Sequence, residues 1–186
     1  MIIAGISIAC TSTGTERKGS VPVGVSDTIA AKAPADKEKQ APAASMTSDR
    51  KAKGGTLNLA FVGDIMPGTT FPDSRLPEKD GATLFKDVDS ILTAADVAAG
   101  NMEGALADEG ETTKKGGKFS YSFRVPTRYG KLIADAGFDF MSMANNHAFD
   151  FGLDGIKSTE ATLHANGIAY SGIGGRRESA IVERNG

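Results

Sequence analysis

The sequence predicts an α/β fold built on a mostly parallel sheet, in a domain that begins near residue 56. Short apolar segments of strand type alternate with segments whose apolar residues recur at helical spacing, as in sheets with helical crossovers. Polar clusters follow three of the predicted strands, which is where ligands bind in open α/β sheets. The first 55 residues differ in composition and are expected to lie outside the folded domain.

The first half of the domain alternates between strand and helix signals. Residues 57–62 (Leu-Asn-Leu-Ala-Phe-Val) alternate and then run apolar, which is typical of a strand buried on both faces. Apolar residues between Leu84 and Ala95 recur at helical spacing and predict a helix. Residues 96–100 predict a second strand, and the period-two alternation of residues 119–123 predicts a half-exposed strand.

The next segments predict a helix, a strand and a second helix. Thr127 is placed to cap a helix, and Gly137 can supply the left-handed residue that ends it. Residues 138–144 predict a core strand, and the spacing of apolar residues predicts a helix from about Leu153 to Asn166.

The end of the sequence predicts two more strands and a turn. Residues 168–170 and 180–184 have strand patterns, and Asn185-Gly186 is typical of a hairpin turn. A hairpin needs a returning strand, so we expect the chain to be the amino-terminal part of a longer protein.

The N-terminal segment predicts an anchor followed by a tether. Residues 1–10 form a short apolar run that ends in Cys10, and the run resembles the end of a lipoprotein signal whose cysteine takes the lipid. It is too short to span a bilayer core of about 30 Å. Residues 11–55, rich in Ala, Lys, Pro and Ser, predict a disordered linker. We therefore expect a lipid-anchored protein at the cell membrane, facing the outside or the periplasm; the alternatives are an incidental cysteine and a cleaved or merely tolerated tail.

Composition excludes some classes of protein. The formal net charge is −2, and the sequence has no basic stripe interleaved with aromatic residues, so a general nucleic-acid binder is not expected. The single cysteine excludes an internal disulfide. Trp is absent, so the core must consist of Ile, Leu, Val, Ala, Met and Phe.

Three polar clusters, residues 63–68, 100–104 and 144–152, each follow a predicted strand. If these strands are parallel, their carboxyl ends meet at one edge of the sheet. The residues that we expect to converge there as metal ligands are Asp64, Glu103, Asn146 and His147. Carboxylates and an amide carbonyl are hard oxygen donors, and imidazole is a borderline nitrogen donor, so the set suits divalent metal ions. Two ions about 3.5–4 Å apart could orient a hydroxide towards a phosphorus or acyl centre.

Several of these residues have structural alternatives. Gly-Asp after a strand is ordinary turn chemistry, and Asn101 with Glu103 could cap a helix. His147 has the strongest functional signal, because amides and an imidazole are costly to bury without partners. Asp150 either orients His147 as a catalytic partner or caps the following helix.

Two further groups are weaker candidates for ligand binding. Asn145 or Asn146 could donate an amide to a developing oxyanion. The segment 172–177 resembles a phosphate-binding loop only weakly, and Arg176 or Arg177 could contact an anionic substrate.

Taken together and in order, the motifs of residues 57–186 resemble those of CapA-type capsule and poly-γ-glutamate synthesis proteins. The motifs that carry the resemblance are Gly63-Asp64-Ile65-Met66, Gly100-Asn101-Met102-Glu103, Phe123-Arg124-Val125-Pro126, Ala136-Gly137-Phe138-Asp139, Ala144-Asn145-Asn146-His147-Ala148 followed by Asp150 and Gly152, and Gly172-Ile173-Gly174. The Asn-Asn-His-Ala block is the most specific part.

The resemblance implies a partial αββα sandwich of the calcineurin-type metallophosphatases with a two-metal site. By the resemblance, Asp64 stands at the first metal position, and Glu103 with Asn101 stands at the second-strand position. Asn146 resembles the ligand of the Asn-His pair, and His147 its substrate-facing partner. Met66 stands where the metallophosphatase opening has a histidine, and the family's C-terminal histidine motifs would lie beyond residue 186.

The resemblance leaves two functions open. The first is a metal-dependent hydrolase, phosphoesterase or transferase that acts in capsule synthesis, with His147 and Asp150 as catalytic residues. The second is a non-catalytic accessory protein that anchors, assembles or exports an anionic polymer. Both imply the capsule polymer or its synthesis complex as partner.

Overall fold

The computed structural model describes residues 46–47, 56–117 and 120–184. It has a mixed α/β structure with a parallel sheet, as the sequence predicts. The predicted signal segment with Cys10, nearly all of the predicted linker, and the predicted hairpin turn lie outside the described residues. In the described part of the chain, no helix combines the length and the apolar character needed to cross a bilayer.

The secondary structure alternates along the chain, with strands and helices of modest length. The strands are β1 (Met46–Thr47), β2 (Leu59–Ile65), β3 (Val97–Met102), β4 (Ala105–Leu106), β5 (Arg124–Val125), β6 (Phe140–Ser142), β7 (Ala169–Ser171) and β8 (Val182–Glu183). The helices are α1 (Asp89–Ala94), α2 (Tyr129–Asp135) and α3 (Gly152–Ala165), with a short 3-10 segment at Glu78–Gly81.

The main sheet has the order β2–β3–β6–β7, with every neighbouring pair parallel. Strands β1 and β8 form a separate parallel pair, and so do β4 and β5. Because the four main strands run in the same direction, the loops that follow them emerge at a single edge of the sheet, called the carboxyl edge below.

The main hydrophobic core lies on one face of the sheet, where all three helices pack. Its fully buried members include Met102 and Met141 from the sheet with Tyr129, Ile133 and Leu163 from the helices. Tyr129 is not one of the residue types predicted for the core, and its hydroxyl donates to Asp80 at 3.1 Å. Burying each such side chain stabilises the fold by roughly 1.5–3 kcal/mol.

The segment 180–184 covers part of the opposite face of the sheet, and the β2 residue Phe61 on this face stays 57% exposed. Ala99 and Phe140 point to this face, and Val182 packs near them. Arg184 then reaches the amino end of the sheet, where its Nη2 lies 2.6 Å from Oδ1 of Asp139 and its Nε donates to the Asp96 carbonyl at 2.7 Å.

Most predicted elements are present with shifted ends. The helix predicted from 153 to 166 is α3, and the strands predicted at 96–100, 138–144 and 168–170 are β3, β6 and β7. The helix predicted between Leu84 and Ala95 is regular only in α1, and Ile91 is 65% exposed within it. The strand predicted at 180–184 pairs with β1 and not with the main sheet.

Three local predictions are wrong. The strand predicted at 57–62 is present as β2 but is not buried on both faces, because Leu59, Phe61 and Val62 are 43%, 57% and 42% exposed. Residues 120–123 do not form a strand, because their backbone bonds to side chains instead: Lys114 donates to the Tyr121 carbonyl and Phe123 donates to Asp150. Thr127 does not cap α2, because its hydroxyl donates to Asp108 at 2.6 Å. Gly137 follows α2 with φ of +100°, as the predicted helix stop requires.

Candidate functional site

Strands β2 and β3 bring two carboxylates together at the carboxyl edge. A bulge gives β2 one residue more than β3 between the pairs Phe61–Ala99 and Asp64–Asn101. The Nδ2 amide of Asn101 donates to Oδ1 of Asp64 and to Oε2 of Glu103, at 2.8 Å in each case. Both carboxylates therefore lie within hydrogen-bonding reach of a single nitrogen atom.

The loop after β6 joins this pair through Asn145. The Asn145 amide donates to Oδ1 of Asn101 at 3.0 Å and to the Met102 carbonyl at 2.8 Å. Its own Oδ1 accepts from the backbone N–H of His147 at 2.9 Å. Asn145 thereby fixes the turn that carries His147 against β3.

The imidazole of His147 is held between the two acidic groups of the site. Its Nε2 lies 3.6 Å from Oε1 of Glu103, and its Nδ1 lies 2.8 Å from Oδ2 of Asp150. The ring of Phe123 lies beside it, with the ring centroids 4.4 Å apart. The His147 side chain is 12% exposed, so only one part of the ring is open to solvent.

Asp150 is fully buried and its carboxylate is bonded on several sides. Oδ2 accepts from the backbone N–H of Phe123 at 2.8 Å and faces His147 Nδ1. Oδ1 forms an ion pair with Nζ of Lys114. Helix α3 has no side-chain cap at its N-terminus. Of the two alternatives for Asp150, the contacts therefore favour orientation of the imidazole over helix capping.

Two glycines permit the close approaches in this region. Gly104 has φ of +101°, and a Cβ there would lie 2.8 Å from Cβ of Phe123. Gly152 has φ of +64°, and a Cβ there would lie 3.3 Å from a methyl group of Thr113. Both positions therefore favour glycine, since L side chains rarely adopt positive φ.

Lys114 was not among the predicted site residues. Its Nζ lies 3.1 Å from Nδ1 of His147 and 2.8 Å from the Tyr121 carbonyl, in addition to its ion pair with Asp150. The loop that contains it has charges of both signs and no periodicity, so the sequence carries no local signal that separates Lys114 from the neighbouring lysine.

Asn146, the fourth predicted metal ligand, lies in the loop after β6. It is exposed and lines a shallow depression of about 630 Å³ together with Ala148 and Ile173. Asn145 lines the same depression and also belongs to the cluster, so the depression borders the cluster at Asn145. The role of Asn146 as a metal ligand stays a prediction.

The remaining candidates have structural partners. Arg176 pairs with Glu160 at 2.7 Å, and the guanidinium of Arg177 lies 5.0 Å from the ring centroid of Tyr170. His164 is exposed on α3.

The sheet edge thus brings Asp64, Glu103 and His147 into one cluster, which is the convergence that parallel strands predict. Within the described ranges, no group of three or more His, Cys, Asp or Glu side chains is arranged to hold a metal ion. The two carboxylates are instead bridged by the Asn101 amide.

The fold and this cluster define a class: an α/β domain with an acid–amide–imidazole site at the carboxyl edge of a parallel sheet. The chain belongs to the bacterial capsule synthesis protein family PGA_cap, which it matches over residues 58–186.

Its curated relatives are considerably longer proteins. The chain is 29% identical over 135 residues to the PGA biosynthesis protein CapA of Bacillus subtilis, covering 70% of this chain and 35% of that protein. It is 27% identical over 119 residues to the capsule biosynthesis protein CapA of Bacillus anthracis, covering 63% of this chain and 28% of that protein. An uncharacterized protein of Sinorhizobium fredii, y4sH, is 32% identical over 132 residues, covering 69% of this chain and 27% of that protein. The chain therefore spans about a third or less of these relatives.

Proposed function

We propose that this chain carries the amino-terminal part of a metallophosphatase-like site in a protein that acts in the synthesis of a poly-γ-glutamate-type capsule at the cell surface. The observation that carries the proposal is the convergence of Asp64, Glu103 and His147 through Asn101 at the carboxyl edge. The capsule role is supported by the family and by the two relatives named CapA. The reaction would be hydrolysis of, or transfer from, a phosphoester or amide.

The donor chemistry of the cluster fits divalent metal ions. Asp64 and Glu103 offer carboxylate oxygens and His147 offers an imidazole nitrogen, which are ligands that such ions accept. These three residues would hold the metal, with Asn146 as the amide ligand that the family resemblance implies. When bound, the ions would supply an activated hydroxide and neutralise charge that develops on the substrate.

The residues around His147 determine which ring nitrogen faces the site. Asp150 bonds to Nδ1, so Nε2 is the nitrogen that faces Glu103. A histidine oriented in this way can hold or move a proton at a defined atom. Asn145 fixes the backbone of the same turn, so the imidazole has both its ring and its main chain restrained.

Location and partners belong to the same proposal. A lipid on Cys10 and a flexible linker over residues 11–55 would hold the domain at the outer or periplasmic side of the cell membrane, next to the capsule polymer or its synthesis complex. Cys10→Ser should release the protein from the membrane fraction and prevent labelling with a radioactive fatty acid. Membrane association that is unchanged in Cys10→Ser would exclude the anchor.

The test of the site combines metal analysis with an assay. The protein is loaded with Mn²⁺, Mg²⁺ or Zn²⁺, desalted and analysed by mass spectrometry, and phosphodiesterase activity is measured on a chromogenic diester. Asp64→Ala and His147→Ala should lower both bound metal and turnover at least about tenfold, because each removes a ligand of the same ions. His164→Ala, on the exposed side of α3, should resemble the parent.

The same experiment separates the enzyme from a non-catalytic accessory protein. If the chain binds no metal and both site variants behave like the parent in every assay, the catalytic proposal is wrong. The accessory role in anchoring or exporting an anionic polymer would then be the remaining candidate.

A further inference from the structure

The Phe123-Arg124-Val125-Pro126 motif contributes a cation near the cluster of Asp64, Glu103 and His147, and the proposed function does not use it. We propose that the Arg124 guanidinium binds an oxyanion of the substrate, a carboxylate or a phosphate group, at the border of this cluster. The inference deepens the proposed function, since it assigns recognition of an anionic substrate to one residue. It concerns binding alone, so it can be tested without metal ions and separately from turnover.

Three hydrogen bonds fix Arg124 in place. Its Nε donates to the Thr70 hydroxyl at 3.2 Å, and its Nη1 donates to the Gly110 carbonyl at 2.8 Å. Its backbone N–H donates to the Thr69 hydroxyl at 3.2 Å. The residue therefore joins the loop after β2 to the loop that contains Lys114. A guanidinium that is already fixed loses little conformational entropy when a ligand binds.

Two aromatic rings pack around the guanidinium. Its Cζ lies 5.8 Å from the ring centroid of Phe71 and 5.4 Å from that of Phe151. The two rings meet edge to face, with their centroids 5.3 Å apart. Phenyl rings attract a cation without neutralising it, so the positive charge of Arg124 stays available to an anion.

The charge of Arg124 is not paired within the protein. The two acceptors of its side chain are a hydroxyl and a carbonyl, and both are uncharged. Within the described ranges, no carboxylate forms an ion pair with Arg124, and its Nη2 has no acceptor and is open to solvent. Arg128, Arg176 and Arg184 differ, because each of them forms an ion pair with a carboxylate.

Asp108 is an acidic neighbour of Arg124 but does not occupy its donors. Hydrogen bonds from Thr127 lower the pKa of Asp108 most, and the charges of Arg128 and Arg124 lower it further. Oδ1 of Asp108 accepts from the Thr127 N–H at 2.9 Å, and Oδ2 accepts from the Thr127 hydroxyl at 2.6 Å. The carboxylate is therefore bonded elsewhere, and Arg124 remains able to bind an external anion.

Arg124 borders the cluster through two phenylalanines. Phe123 precedes it in the chain, and the ring of Phe123 lies 4.4 Å from that of His147 between centroids. Phe151, which packs on the guanidinium, follows Asp150, and Asp150 contacts His147 at 2.8 Å. An anion bound by Arg124 would therefore lie next to the turn that carries the imidazole.

An anionic substrate needs positive charge at this edge of the sheet. The chain has a formal net charge of −2, and Asp64 and Glu103 place two carboxylates in the cluster. These charges repel an anionic polymer or phosphoester. The charge of Lys114 is already paired with Asp150. Arg124 supplies an unpaired cation, and its planar donors match the oxygens of a carboxylate or a phosphate.

The test is anion binding to the full chain in metal-free buffer. The probes are poly-γ-glutamate and inorganic phosphate, with dextran as an uncharged polymer. Binding is measured by calorimetry and by the ¹⁵N shift of the Arg124 Nε–H group, which is identified by its absence from Arg124→Lys. At least one anion should shift this resonance, and dextran should not. A response to the polymer alone identifies a carboxylate as the ligand, and a response to phosphate alone identifies a phosphate group.

Three variants examine the role of the guanidinium. Arg124→Met removes the charge and should weaken binding of the responding anion by at least about tenfold, the effect of losing a charge-assisted hydrogen bond. Arg124→Lys keeps the charge but loses the planar donors, so it should recover only part of the affinity. Arg128→Met is the matched control and should bind like the parent, because Arg128 also lies over a ring, that of Tyr129, but is paired with Asp80.

Each result has a definite consequence. If neither anion shifts the Arg124 resonance in the parent, the proposal is overturned without any variant. Equal affinities of Arg124→Met and the parent overturn it as well, and so does an equal loss in Arg128→Met, which would indicate a general effect of charge. If Arg124→Met does not fold, the parent titration and Arg124→Lys decide, and unchanged affinity in Arg124→Lys counts against a guanidinium site. A chain that binds the anion through Arg124 but has no turnover would contradict only the catalytic part of the proposed function.

Discussion

The two ends of the parallel sheet use the same residue types in different ways. At the amino end, Asp139 is 8% exposed, accepts from the Ala98 N–H at 2.8 Å and pairs with Arg184. At the carboxyl end, Asp64 is exposed and shares the amide donor of Asn101 with Glu103. A buried carboxylate whose hydrogen-bond donors are all supplied by the protein stabilises the fold. Carboxylates that share one donor and remain accessible are available to bind something else.

The largest expected effect is at the amino end. Arg184→Met removes the charged partner of the Asp139 carboxylate. Both side chains are buried, with 4% of Arg184 and 8% of Asp139 exposed. We expect a loss of about 3–5 kcal/mol in the free energy of unfolding, measured by urea denaturation. Lys131→Ala, which breaks an exposed pair with Asp135, is the matched control and should cost less than about 0.5 kcal/mol. Equal losses of unfolding free energy for the two substitutions would contradict the distinction between a buried structural ion pair and an exposed surface pair.

The next effect would show that the carboxyl end also contains one structural carboxylate. Asp150→Asn keeps the side-chain volume at a fully buried position but removes the charge partner of Lys114, whose side chain is 29% exposed. We expect about 2–4 kcal/mol of destabilisation by urea denaturation, because one partner of a buried pair is lost. Asp64→Asn, at an exposed position, should change stability by less than about 0.5 kcal/mol. A larger effect for Asp64 than for Asp150 would contradict the assignment of roles.

A smaller effect should reveal the accessible carboxylates directly. Asn101→Asp replaces the amide that bridges Asp64 and Glu103 with a third negative charge. We expect the unfolding free energy to fall by about 1–2 kcal/mol in chelator, and to recover on adding Mn²⁺ at millimolar concentration. Thermal unfolding with and without the ion is the measurement. Destabilisation that no divalent ion reverses would argue against a cation site at this edge.

The smallest effect concerns Asp108, an exposed carboxylate whose pKa is held below its usual value by hydrogen bonds from the hydroxyl and backbone N–H of Thr127. A lowered folded-state pKa adds stability that is complete above the ordinary pKa of 3.8 and is lost as pH falls through the lowered value. Thr127→Val removes the hydroxyl bond. It should therefore reduce the difference in unfolding free energy between about pH 5 and pH 2 by a few tenths of a kcal/mol, measured by urea denaturation at each pH. An unchanged pH profile would show that the hydroxyl does not set this pKa.

Regular periodicity and parallel topology were sufficient to predict much of the architecture. The apolar spacing of α3 and the apolar runs of β3, β6 and β7 are local signals, and the structure contains all four elements. Convergence of Asp64, Glu103 and His147 follows from strand direction alone, so it was predictable once the sheet was predicted to be parallel. The roles of these residues are not decided by that convergence.

The remaining features depend on contacts between distant parts of the chain. Residues 120–123 alternate like a strand, but Lys114 and Asp150 bond to their backbone. The sequence offers Asn145 and Asn146 as neighbouring amides, and only the turn geometry shows that Asn145 bonds to Asn101. Lys114 lies 36 positions before Asp150, and no local pattern records that they meet.

The bulge in β2 determines which side chains of this strand face each side of the sheet at its carboxyl edge. Between the pairs Phe61–Ala99 and Asp64–Asn101, β2 has one residue more than β3. Side chains of a strand alternate between the two faces, so without the bulge the same residues would pair Asp64 with Met102, and the carboxylate would point towards the helices. The one extra residue in β2 therefore determines the face of the sheet on which the Asp64 carboxylate lies.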